Sequence, residues 1–171
     1  MPQSFDTTNA DIGVLRDEHR VLPAASHPKA QQLLAFWKAR PADGIVIGRD
    51  VPSRAIAGLL NNIAIFEPVN GGSDLKVRLA GTSVRRRFGG EVTGKLMSEL
   101  FPPDDFQEHL KSSIASMESD TVTIMDSRLT YGAVERMHLE VVVLPVLAPA
   151  RVSKWVLAGL FYFTYPWARV R

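Results

Sequence analysis

The stretch RLAGTSVRRRFGGEVTGKLMSELFPPDD, residues 78–105, holds the change of architecture in this chain. It opens on the end of an alternating run in which Leu75, Val77 and Leu79 share one side and Lys76 and Arg78 the other, the pattern of a strand with one wet face. Gly81 stops the strand, Thr82 offers a hydroxyl to an orphan N–H, and SVRRRF spans barely two helical turns before Gly89-Gly90. Gly94 turns the chain again. KLMSEL then predicts another short helix, and FPPDD sets a proline stop ahead of acidic residues that suit a helix start. A strand here gives way to a string of small helices.

Upstream, NIAIFEPV and LKVRLAG are joined by NGGSD, whose residues tolerate positive φ, so residues 62–81 predict a hairpin. Earlier still, Pro28 fits the first turn of a helix. Ala30, Leu33, Leu34 and Trp37 then follow at i, i+3, i+4 and i+7, with Phe36 at the margin of the stripe. Pro41, Gly44 and Pro52 punctuate the connector, and Ser53 is placed to cap a short helix over RAIAGLL. Residues 1–26 carry scattered charge and little periodicity and are expected to form a flexible N-terminal arm.

Downstream, a helix is expected over about 104–118 with Phe106, Leu110, Ile114 and Met117 on one face, followed by strands at about 121–131, 134–145 and 154–164. In the middle strand Met137, Leu139, Val141 and Val143 form a core face, and Arg136, His138 and Glu140 a wetter one. The last strand is apolar on both sides: Trp155, Leu157, Phe161 and Phe163 on one, Val156, Ala158 and Leu160 on the other. An antiparallel strand of that kind needs cover on both faces, from the helix at 28–39 or from a partner subunit. Sequential antiparallel strands with helices gathered on one face make the fold class α+β.

Composition narrows function. The chain has 171 residues, 46% of them hydrophobic, enough for one well-formed core. It has no cysteine, which removes disulfides, thiolate metal sites, iron–sulfur clusters and cysteine nucleophiles. The first 25 residues lack the layout of a secretory signal, and WVLAGLFYF is far shorter than a bilayer span, so a cytoplasmic location without membrane contact is expected. The net charge of +2 is small, and although Lys76, Arg78, Arg85, Arg86, Arg87 and Lys95 form a local basic patch, nothing in it has the spacing of a nucleic-acid motif. Consecutive helical residues point about 100° apart. At most one or two of Arg85, Arg86 and Arg87 can therefore turn inward, and the others are expected on a solvated face beside Glu91 or Glu99.

No catalytic signature emerges. Gly71-Gly72 and Gly89-Gly90 do not extend to a phosphate-binding loop, and there is no H-E-x-x-H or nucleophile elbow. His19, His27, His109 and His138 lack close metal-ligand spacing, and helix-start electrostatics account for the pair Asp104-Asp105. No catalytic residue, metal ligand or enzymatic activity is expected.

The order of hairpin, small helices, longer helix and three-strand meander over roughly residues 55–165 resembles a PAS domain. RLAGT followed by a small helix and TGKLMSELFPP sharpens the match, which is to the small, nearly single-domain bacterial PAS subfamily with a tryptophan-containing helix such as LLAFWKAR ahead of the core. The resemblance implies a five-stranded antiparallel sheet with small helices on one face, its first and last strands meeting in the middle. Three segments follow: the arm at 1–26, a flanking helix and connector at 27–54, and the PAS-like domain at 55–171. It implies a sensory or regulatory module of bacterial signal transduction that binds a small molecule or a protein partner and forms a homodimer through its flanking helix. Pocket candidates are Arg78, Phe88, Leu96, Leu100, Phe106, Leu110, Ile114, Met137, Leu139 and Phe161. No cofactor is named by the residues. The light-sensing flavin class needs a cysteine that is absent, and the haem class takes a histidine from the long helix at a position that falls near Ile114, later than His109. His138 is expected at the surface or an interface. A ligand-free adaptor with a filled core is the alternative, and a small enzyme using the same pocket the third.

Overall fold

The computed structural model describes residues 15–164. In chain order it contains β1 (Leu15–Leu22), α1 (Pro28–Lys38), a 3-10 segment (Arg54–Asn62), β2 (Ile63–Val69) and β3 (Asp74–Ala80). These are followed by α2 (Thr82–Arg87), α3 (Met97–Leu100), α4 (Pro103–Ser119), β4 (Thr123–Tyr131), β5 (Val134–Leu147) and β6 (Lys154–Thr164). The strands form one antiparallel sheet in the order β1-β4-β5-β6-β2-β3. β2 lies beside β6, so the first hairpin and the closing meander meet in the middle of the sheet as expected.

The sheet has six strands, one more than the sequence predicts. Of the supposed arm at 1–26, residues 1–14 lie outside the described residues, and Leu15–Leu22 is a strand paired with β4 along its whole length, from Leu15 opposite Tyr131 to Leu22 opposite Ile124. Charge on an edge strand is compatible with pairing, because an edge is half solvated and charged residues there discourage further strand addition. Glu18 and Arg20 are exposed, whereas the His19 side chain between them is only 7% exposed.

Two apolar clusters sit on opposite faces of the sheet. One joins the roof helices α2, α3 and α4 to Met137, Leu139, Val141 and Val143 of β5 and to Val156 and Ala158 of β6. The other joins Ala30, Leu33 and Trp37 of α1 and Ile56 and Leu59 of the 3-10 segment to Val142, Leu144, Leu157 and Phe161. The helices are thus not gathered on one face. α1 covers the second face of β6 within the same chain, and that face needs no partner subunit for its burial.

Glu140 marks how α1 is held. Expected on the wetter side of β5, it is 1% exposed. Its carboxylate accepts the backbone N–H groups of Ser26 and His27 at 2.8 Å each, and the Ser26 hydroxyl at 2.5 Å. His27 caps α1 by accepting the Lys29 N–H on Nδ1 at 3.1 Å, which leaves Nε2–H to donate to the Tyr162 carbonyl at 3.2 Å. The start of the flanking helix is therefore tied by side chains to β5 and β6.

Two local departures have simple causes. A bulge between β2 and β3 breaks the alternation after Val77, so Leu79 is 38% exposed while Ala80 turns onto the core. The N-cap of α2 is Gly81 and not Thr82, which is the first helical residue. The glycine is required by space, since a Cβ there would lie 2.3 Å from the Leu60 carbonyl oxygen and 2.4 Å from that of Asn61.

Candidate functional site

The roof segment is fixed to the sheet edge before it arches back. Val77 N–H donates to the Lys95 carbonyl and Gly94 N–H to that of Val77, so residues 94–96 run along β3. Buried Asp74 then accepts the Ser98 hydroxyl at 2.5 Å and its N–H at 3.3 Å, and Glu99 accepts the Leu96 N–H at 2.7 Å. These bonds set α3, and through Phe101 the entry of α4, at a distance from the strands.

The space left is a cavity of about 60 Å³. Its floor is Met137, Leu139, Val141 and Val143 of β5, with Val156, Ala158 and Leu160 of β6 and Ala64 and Phe66 of β2. Its roof is Val84, Arg87 and Phe88 of α2, Met97 of α3, Phe101, and His109 and Ser113 of α4. His19 of β1 and Ser127 of β4 close one end. The space is more than one water needs and suits a small molecule. A porphyrin or isoalloxazine ring does not fit it as folded.

A series of rings adjoins along the lining. Phe88 meets Phe101 edge-on with centroids 5.3 Å apart, Phe101 lies 4.5 Å from His109, and His109 lies 4.8 Å from His19 in a T-shaped pair. The Nε2 atom of His109 is buried and has no hydrogen-bond partner among the described residues. Burial above all, with the charges of His19 and Arg87 adding to it, pushes the His109 imidazolium down to about 4. The unfolded chain takes up this proton near 6.5, before the folded one does near 4, so stability is intact above 6.5 and falls as the pH drops through that window. His109→Phe is expected to remove about 3 kcal/mol of that acid-side loss, read as a flatter stability–pH curve from urea unfolding; parallel curves would exclude His109 as its source.

Of the ten candidates, Phe88, Met137 and Leu139 line the cavity. Phe106 and Leu110 belong to the core cluster on the same face, with Leu100 and Ile114 packed at its margin, and Leu110 and Ile114 also border a shallow groove on the outer side of α4. Leu96 is held at the β3 edge. Phe161 is on the opposite face, under α1. Arg78 is at the surface, with Nε 3.3 Å from Glu67 and its guanidinium 5.6 Å from the Trp155 ring centroid.

The arginine run divides as the helical geometry requires. Arg85 pairs with Glu91 at 3.4 Å in solvent, and Arg87 turns to the cavity. Backbone and side-chain hydrogen bonds from Thr93, with Arg85 adding to them, hold the Glu91 carboxyl down to about 2. His138 Nε2–H donates to the Asp126 carboxylate at 2.6 Å on the far face of the sheet.

Sequence reading weighs His109 only as a haem or metal ligand and sets it aside, and it assigns His19 no place on the lining. His109 could have been found from the spacing Phe106, His109, Leu110, Ser113, the stripe of α4 that faces inward. His19 left no such signal. The fold also brings donor atoms of His19, Asp105 and Glu108 within 4.8 Å of one another. An ion bound at about 2.1 Å from each donor needs them about 3–3.5 Å apart, so the group does not close on a metal as it stands.

No helix among the described residues is long and apolar enough to cross a membrane. A family model described as a PAS domain matches residues 25–161 of the chain. No curated protein and no solved structure matches it.

Proposed function

The chain belongs to the PAS domain family, and from that premise we propose that it is a non-catalytic sensory or regulatory module that holds a small molecule between its roof helices and its sheet. The observation that supports this most is the cavity itself: an apolar volume of about 60 Å³ with a buried, unsatisfied ring nitrogen at one end. A filled structural core leaves neither, because close packing removes voids and buried polar atoms are paired.

Transmission runs through α1. The roof cluster and the α1 cluster share β5 and β6, and the Glu140 carboxylate ties the start of α1 to β5. A shift of β5 or β6 on ligand entry is therefore passed to the flanking helix, where a protein partner or a second copy of the chain reads it. The family's common use of ligands, partner proteins and dimers agrees with this route.

The small size of the cavity favours one other function, a ligand-free adaptor that binds a protein through its surface. Native and denaturing mass spectra of the protein purified without denaturant separate the two. The expected result is an additional small mass present in the native spectrum and lost on unfolding. A native mass equal to that of the chain, or of an integral number of chains, from several growth conditions would favour the adaptor.

A further inference from the structure

Two nitrogen-bearing side chains on the cavity lining, Arg87 and His109, carry donors for an acceptor, with Asp105 and Glu108 gathered on His19 alongside. Arg87 is half-buried and makes no ion pair or hydrogen bond among the described residues; its contact is the Phe88 ring, 5.2 Å from the guanidinium carbon. Other arginines in this part of the fold are paired, Arg78 with Glu67 and Arg85 with Glu91. Beside Arg87 stands His109, whose buried Nε2 also lacks a partner. Leaving the buried Nε2 of His109 unsatisfied is costly, and a ligand acceptor recovers that cost while it pairs with the half-buried Arg87 guanidinium.

The rest of the cavity sets the remainder of the molecule. Beyond His19, Ser113 and Ser127 the lining is mostly methyl, methylene and aromatic carbon, and the volume of about 60 Å³ suits a small molecule. A phosphate or nucleotide would bury too much charge against this lining, and a cation would face Arg87 directly. A neutral apolar molecule would fill the floor but leave Arg87 and His109 unpaired. We infer that the ligand is a short-chain carboxylic acid, its tail on Met137, Leu139 and Ala158 and its carboxylate accepting hydrogen bonds from Arg87 and His109.

This identification rests on the ligand-holding function proposed above, and it is testable separately from it. Methyl and amide NMR spectra of the full chain are titrated with butyrate and with butyramide, which has the same shape and no charge, at matched sodium chloride. Butyrate is expected to move the Met137, Leu139 and Ala158 methyl signals saturably and to bind at least about tenfold more tightly than the amide, as a charge-assisted pair requires. Arg87→Gln is expected to bring butyrate to the level of butyramide, and Arg87→Lys to keep most of the difference. Should Arg87→Gln lose its dispersed spectrum, His109→Phe carries the same comparison. Equal affinity for the two probes, or unchanged butyrate binding in the variants, would overturn the carboxylic acid and leave a ligand cavity. Methyl signals that neither probe moves would remove both.

Discussion

Gly81→Ala is expected to destabilise the protein by about 3 kcal/mol, an unusually large effect for the addition of one methyl group. Its backbone φ of −68° is open to any residue, so conformational freedom is not the cause. The obstacle is that a Cβ would enter 2.3 Å from the Leu60 carbonyl oxygen and 2.4 Å from that of Asn61, both main-chain atoms of the 3-10 segment. A flexible side chain could swing aside from such a contact. Two backbone carbonyls move only by shifting the segment, and with it Leu59 and Ile56 in the α1-side cluster. Gly81 N–H also donates to the Ile63 carbonyl at 2.8 Å, so a shift that relieves the clash strains the junction of β2 and α2. Gly90→Ala is the control, since nothing lies within 4 Å of its Cβ position. The measurement is the urea midpoint of each variant. A loss no greater for Gly81→Ala than for Gly90→Ala would show that the two segments do not approach as described.

Leu33→Ala should cost about as much, roughly 3 kcal/mol, by leaving a cavity beneath α1. Leu33 has no exposed surface, and it packs where β6 carries Gly159, whose absent side chain makes room: a Cβ there would lie 2.7 Å from a Leu33 methyl. Gln32→Ala, one position away on the exposed side of the helix, should change stability by less than about 0.5 kcal/mol. Because α1 covers its own sheet, the thermal midpoint of the unaltered protein should not depend on protein concentration through this face. A midpoint that rises with concentration, together with a concentration-dependent effect of Leu33→Ala, would place α1 on a second copy of the chain.

Part of the α4 and β5 geometry is hidden from pattern reading for one reason: polarity reads as a sign of solvent. The inward stripe of α4 includes buried Ser113 and Ser116, and not only Phe106 and Leu110. The Ser116 hydroxyl is buried because it donates to the backbone carbonyl of Thr121 and reaches that of Val143. A small hydroxyl with a backbone acceptor allows a helix to lie close on a sheet, which a larger apolar residue would prevent. The true stripe is turned from the expected Phe106, Leu110, Ile114, Met117 line, and His109 faces the cavity as a result. Glu140 shows the same effect in a strand, where the segment that buries it begins more than a hundred residues earlier.

The sequence by itself determined the α+β class, the string of small helices after β3, the strand order in the middle of the sheet, and the two apolar faces of β6. The class, the small helices and the two faces of β6 follow from local periodicity and from turn residues, whose constraints act within a few positions, whereas the strand order is what the resemblance to PAS domains implies. Only the tertiary structure decided that residues 15–22 add a strand at the edge, that α1 covers β6, and that His19, Arg87 and His109 line one cavity. These depend on contacts between segments far apart in the chain. Such contacts bury polar side chains that local pattern assigns to water, and they are set by which backbones can approach each other and not by the composition of any one of them.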